Sequence, residues 1–131
     1  MSDRKCARML LEAARRDIEV LRLMARTAEG SDEVFGFHTQ QAVEKSLKAW
    51  IALLGDTYPL THDIRSLLDR LEAHGLDMDP WRGMARFTPF AVAFRYDSVD
   101  PDSDPIRRAR VLARAVPLWE RVRAALREGP D

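Results

Sequence analysis

Apolar residues recur along most of this chain at steps of three and four, the period of an α-helix with one buried face. Over residues 4–29 the stripe is Cys6, Leu10, Ala13, Ala14, Leu21, Met24, Ala25 and Ala28, with Ile18 between them. Gly30 marks its end, and Ser31 or Asp32 suits the cap of a second helix over 32–54 that stops at Gly55. Projected at 100° per residue, Phe35, Val43, Leu47, Trp50, Leu53 and Leu54 of that helix form one arc, while His38, Gln41, Glu44, Lys45 and Lys48 fall opposite it and are expected to face solvent. Residues 55–63 read as a loop leading into a third helix, about 62–74, with Thr61 as its cap and Asp63 in its first turn. Asp79 and Pro80 open a fourth helix carrying Trp81, Met84, Phe87, Ala91 and Phe94, which Pro89 should break near Phe87. A polar loop, 95–105, precedes a fifth helix with Asp104 as cap, Pro105 as first residue and a kink at Pro117. Its stripe is Ile106, Ala109, Leu112, Ala113, Val116, Trp119, Val122 and Leu126. No segment alternates as a strand does, and the expected fold is an all-α, up-and-down bundle of four to five helices in a single domain, 1–131.

Composition narrows the function classes. At 131 residues with 46% hydrophobic and 32% charged side chains, the chain can bury a core of its own. No apolar run nears the roughly 20 residues that span a bilayer, and no apolar segment follows the N-terminus, so a cytoplasmic protein is expected. Net charge is zero, which disfavours binding through bulk charge alone. The charge is uneven, however. Residues 31–104 carry 7 basic and 13 acidic side chains, whereas 105–128 carry 7 Arg and 2 Glu. Such a basic last helix suits an anion or an acidic surface, or is simply a solvated face.

Most familiar chemistry is missing. There is no Gly-rich phosphate loop and no zinc-protease helix motif, and no cofactor is expected. The lone Cys6 lies on an apolar stripe and reads as a small buried hydrophobe. Asp100, Asp102 and Asp104 alternate as calcium ligands do, but Pro105 and Val111 stand where an EF-hand needs Gly and Glu. Three features remain. The first is the polar stripe of the second helix, where two of only 3 Lys among 18 Arg sit at Lys45 and Lys48; a compact ammonium suits those places better than a guanidinium fork. The second is Thr61-His62-Asp63 at a helix start, receptive to anions and carrying an imidazole. The third is Arg95-Tyr96-Asp97, a fork for a phosphate beside a ring that can stack on a base.

In this order, the block Gln40-Gln41-Ala42-Val43-Glu44-Lys45-Ser46-Leu47-Lys48-Ala49, then Thr61-His62-Asp63-Ile64, then Arg95-Tyr96 resembles the HEPN (higher eukaryotes and prokaryotes nucleotide-binding) family over roughly residues 8–125. The resemblance implies a helical bundle that commonly forms homodimers. It also implies a genetic neighbour or fused partner that is a minimal nucleotidyltransferase, often in toxin–antitoxin or defence systems. Many members are metal-independent ribonucleases that use an Arg followed, after four to six residues, by a His. This chain departs from that pattern: Arg70 precedes His74 with only three residues between, and His38 and His62 have no Arg at the required distance. The expectation is therefore a non-catalytic module binding a nucleotide or RNA through Gln41, Lys45, Lys48, His62, Arg95 and Tyr96. Two alternatives stand beside it. One is a ribonuclease using His62 with Arg95; the other is a purely structural dimerisation domain.

Overall fold

A computed structural model describes residues 2–92 and 104–129. Among them are the α-helices α1 (Arg4–Thr27), α2 (Asp32–Leu53), α3 (Ile64–Ala73) and α4 (Arg108–Glu128), with a 3-10 helix over Asp79–Phe87 and helical residues again at 90–92. No strand is present among the described residues, and the all-α bundle expected from the hydrophobic pattern is what forms.

The centre of the bundle is α2, which packs against α1, α3, α4 and the 3-10 helix. Its apolar arc is buried as expected at Phe35, Val43, Leu47 and Trp50, whereas Leu54 at the C-terminal end stays exposed. The opposite, polar side faces solvent only in part, with His38, Gln41 and Lys45 half-buried. Gln40, Glu44 and Lys48 are buried with the core, because α1 and the chain leading into α3 cover that side as well. Gly36 lies where α2 passes close to Phe90, since a Cβ there would come within 2.2 Å of that ring.

α1 and α4 run antiparallel, cross-linked by backbone contacts along their length. Arg4 donates to the Leu126 carbonyl near one end, the Trp119 indole to the Leu11 carbonyl in the middle at 2.9 Å, and Arg108 to the Met24 carbonyl at the other end at 3.1 Å. On both helices the buried stripe differs from the expected one. On α1 it includes Ala7, Leu11, Ala14, Ile18, Leu21 and Met24, so Cys6 is partly exposed rather than core. On α4 it is Val111, Ala115, Leu118 and Val122. The apolar arcs are wide enough for either centre line; Trp119 is held at the edge because its N–H must reach a carbonyl.

The helix ends explain the remaining differences. Ser31 caps α2 by accepting from the Val34 N–H. Ala28, in the left-handed conformation at φ 57°, closes α1 ahead of Gly30. Asp63, not Thr61, caps α3, while the Thr61 hydroxyl accepts from the Asp63 N–H. α4 starts three residues after Pro105, because Asp32 reaches across to accept from the Ile106 N–H and to pair with Arg108. The fourth element is a 3-10 helix that ends at Phe87. Trp81, Met84 and Phe87 repeat every three residues, and three residues per turn put them in one row against the core.

Candidate functional site

The outer side of α2 carries two polar assemblies with the same wiring, each a carboxylate shared between a lysine and a histidine. In the first, Asp17 projects from α1 toward α2. Its Oδ1 lies 2.9 Å from His38 Nδ1, and its Oδ2 accepts from Lys45 Nζ at 2.7 Å. His38 and Lys45 are seven residues apart and so share one helix face, which places both over the same acid. The Asp17 side chain is 9% exposed, and those of His38 and Lys45 about a quarter.

In the second assembly the carboxylate belongs to α2 itself. Glu44 Oε1 lies 2.7 Å from His62 Nδ1, and Oε2 accepts from Lys48 Nζ at 3.1 Å. Gln40 adds a third anchor, its amide donating to Glu44 Oε1 at 2.8 Å and to the His62 carbonyl at 3.2 Å. Gln41 donates in turn to Gln40 Oε1 at 2.6 Å, so the network runs out to a half-buried polar group. Lys48 also lies over the Tyr58 ring, 5.4 Å from its centroid. The short loop 61–63 presents His62, since the Asp63 cap and the Thr61 hydroxyl fix its backbone on either side.

Burial separates the members of this assembly. Glu44 and Lys48 side chains are 8% and 11% exposed, whereas the His62 ring is 65% exposed. Burial alone would push the Glu44 carboxyl up, but hydrogen bonds from Gln40, His62 and Lys48 outweigh it and hold the group below its ordinary value. The result is an ionised acid inside the fold with an imidazole fixed at its mouth. One nitrogen of that ring is committed to the acid, and the other is left to meet a ligand or move a proton.

The expected site residues are therefore only partly brought together. Gln41, Lys45 and His62 lie around the outer side of α2; Lys48 is turned inward onto Glu44; Arg95 and Tyr96 lie outside the described residues. Asp17, Gln40, Glu44 and His38 were not among the expected binding residues, yet they organise the site. Asp17 had a sequence signal, because it is an acid within the stripe of α1, seven residues from both Leu10 and Met24. Arg70 and His74, the near miss to the ribonuclease spacing, both bind Asp56, at 2.7 and 2.9 Å, and brace the loop after α2.

No curated protein and no solved structure matches the chain. A family model does match, that of the HEPN domain, over residues 7–127. With that span covering nearly all of an all-helical chain, the protein belongs to the HEPN domain family.

Proposed function

We propose that this protein is a non-catalytic nucleotide-binding HEPN module that receives a phosphate group at the outer side of α2 and works beside a separate minimal nucleotidyltransferase. The observation that carries the reading is His62, an exposed imidazole whose Nδ1 is clamped on the buried Glu44 carboxylate. Nδ1–H is then given to the acid, and Nε2, which accepts in the neutral ring, donates to a phosphate oxygen once the ring is protonated. Lys45, paired with Asp17, and Gln41 add N–H donors on the same side of α2. Lys48 neutralises Glu44 and acts as a positioning residue. Arg95 and Tyr96 keep their expected roles, a phosphate fork and a stacking ring. We further read the protein as a cytoplasmic homodimer of a toxin–antitoxin or defence system. No helix among the described residues is long and apolar enough to cross a membrane, and the exposed Met9 and Leu23 make the outer face of α1 our choice for the dimer contact.

The same His62–Glu44 pair also favours a second reading. A carboxylate-held imidazole is the usual form of a general acid–base group, so His62, with Arg95 on the phosphate, would serve a ribonuclease.

A thermal-shift titration with ATP and GTP separates these readings. The first expects a rise in melting temperature that tracks nucleotide concentration and is lost in His62→Ala and Lys45→Ala. Cleavage of RNA by the wild type, abolished in His62→Ala, would replace it with the second. No shift at about 1 mM nucleotide, where even a weak site would fill, would reject nucleotide binding and leave a module that contacts only proteins.

A further inference from the structure

The basic last helix has no part in the site on α2. Where α4 lies antiparallel to α1, the C-terminal end of α4 and the start of α1 enclose a groove of about 520 Å³ lined by Arg4, Arg8, Arg123, Arg127 and Trp119. Its one acid, Glu12, is bonded through both of its oxygens to Arg15, which also pairs with Glu19. Among the described residues no carboxylate pairs with Arg8, Arg123 or Arg127. Arg123 is set in place by stacking over the Trp119 ring, 4.9 Å from its centroid. Arg4 hydrogen-bonds to the Leu126 carbonyl, while its buried Nε has no partner among the described residues. Four guanidiniums thus line one groove without internal neutralisation.

We propose that this groove binds the sugar–phosphate backbone of single-stranded nucleic acid. Arg4 and Arg8 form one wall and Arg127 and Arg123 the other, each pair four residues apart on one helix face and so about 6 Å apart along its axis. That regular step suits the repeating charge of a phosphodiester strand, whereas acidic side chains of a protein partner follow no fixed repeat. A groove of about 520 Å³ has room for little more than the backbone of one strand, and a duplex would not enter it. The groove is built for backbone rather than base recognition. The Trp119 N–H is committed to the Leu11 carbonyl and one ring face to Arg123, and no amide side chain lines the walls. Binding should therefore be indifferent to base sequence and to the 2′-hydroxyl. The groove is also separate from the α2 site, since α1 turns Leu11 and Arg8 toward α4 and Asp17 toward α2.

The test is fluorescence anisotropy with labelled oligouridylate and oligothymidylate against the full chain, titrated at several salt concentrations. Both strands should bind comparably, with affinity falling as salt rises at a log–log slope of about −3 for four single-strand contacts. Arg8→Ala/Arg127→Ala should weaken binding at least tenfold and halve the slope, because one contact is lost from each wall. Arg8→Lys/Arg127→Lys, which keeps the charge, should retain most of both. Neither exposed side chain makes a hydrogen bond or ion pair among the described residues, so the melting temperature should not move. No binding by the wild type, or equal binding by the double alanine variant, would overturn the proposal. Oligoglutamate of equal charge binding as tightly as the oligonucleotides would overturn it too, in favour of an acidic protein partner.

Discussion

Replacing Glu44 by glutamine is the sharpest perturbation of the α2 site. The change keeps the shape of the side chain and removes only its charge, leaving the Lys48 ammonium at 11% exposure without its counter-ion. Removing one partner of a buried pair costs about 3–5 kcal/mol. The amide oxygen can still accept from Lys48 or His62, so the lower end, about 3 kcal/mol, is expected. At about 3–5 °C per kcal/mol for a domain of this size, the melting temperature should fall by about 10 °C. Urea denaturation monitored by circular dichroism measures the first figure and a thermal scan the second. Two controls bind the effect to the pair. Glu44→Gln/Lys48→Met, which removes both charges, should recover most of the loss, with coupling well above that of sites that merely add. The pH dependence supplies the other. Since the folded Glu44 carboxyl lies below its ordinary 4.5, its stabilisation is complete above that value and disappears as pH falls through the lower folded one. The gap between wild type and variant should therefore be constant at neutral pH and narrow in acid. A Glu44→Gln variant within about 0.5 kcal/mol of the wild type at pH 7, the behaviour of a solvated ion pair, would refute the reasoning.

Two further changes test the packing that holds the site. Gly36→Ala raises intrinsic helix propensity by about 1 kcal/mol, yet it should destabilise the protein by about 1–2 kcal/mol because the new Cβ meets the Phe90 ring; in a Phe90→Ala background the same change should become stabilising, and chemical denaturation of the four variants reads the reversal. Arg108 donates to the Met24, Glu29 and Gly30 carbonyls and pairs with Asp32, tying the start of α4 to the α1–α2 turn. Arg108→Ala should lose about 2–3 kcal/mol, and Arg108→Lys should recover less than half of it, because an ammonium cannot span the set that the fork does.

The hydrophobic period made the helices legible, and their ends came within a few residues of the observed ones. The burial of α2 was not legible in the same way. An angular projection shows which residues oppose Phe35 and Trp50, but it treats the helix as having one buried side. α2 has neighbours on several sides, so Glu44 and Lys48 enter the interior from what looks like the solvent face. The 3-10 helix was written in the sequence as a step of three at Trp81, Met84 and Phe87, although an α-helix with a break accounts for the same residues. The site was readable in part. The sparing use of lysine singled out Lys45 and Lys48, and both do hold compact ammonium contacts, one to Asp17 and one to Glu44. What a single chain position cannot show is whether such a charge awaits a ligand or an internal acid; Asp17 lies 28 residues from Lys45 and meets it only across the α1–α2 interface.

The repeated lysine–carboxylate–histidine wiring also bears on why charges are buried here at all. A buried ion pair seldom adds stability over apolar residues of the same volume, so stability is a poor reason for two of them side by side. Each acid gives one oxygen to a lysine and the other to an imidazole that reaches solvent. A carboxylate alone behind the imidazole would orient the ring but repel a phosphate approaching it. With the lysine beside it, the acid still fixes the ring, and its charge is cancelled within a few ångströms. The ring then meets an anion against a neutral background and contributes its own charge when protonated. On this view Lys48, the least exposed of the expected binding residues among those described, matters to an incoming phosphate without touching it. Lys48→Met should then weaken nucleotide binding in the folded protein, and Glu44→Gln/Lys48→Met, which removes the repelling acid as well, should bind better than Lys48→Met alone.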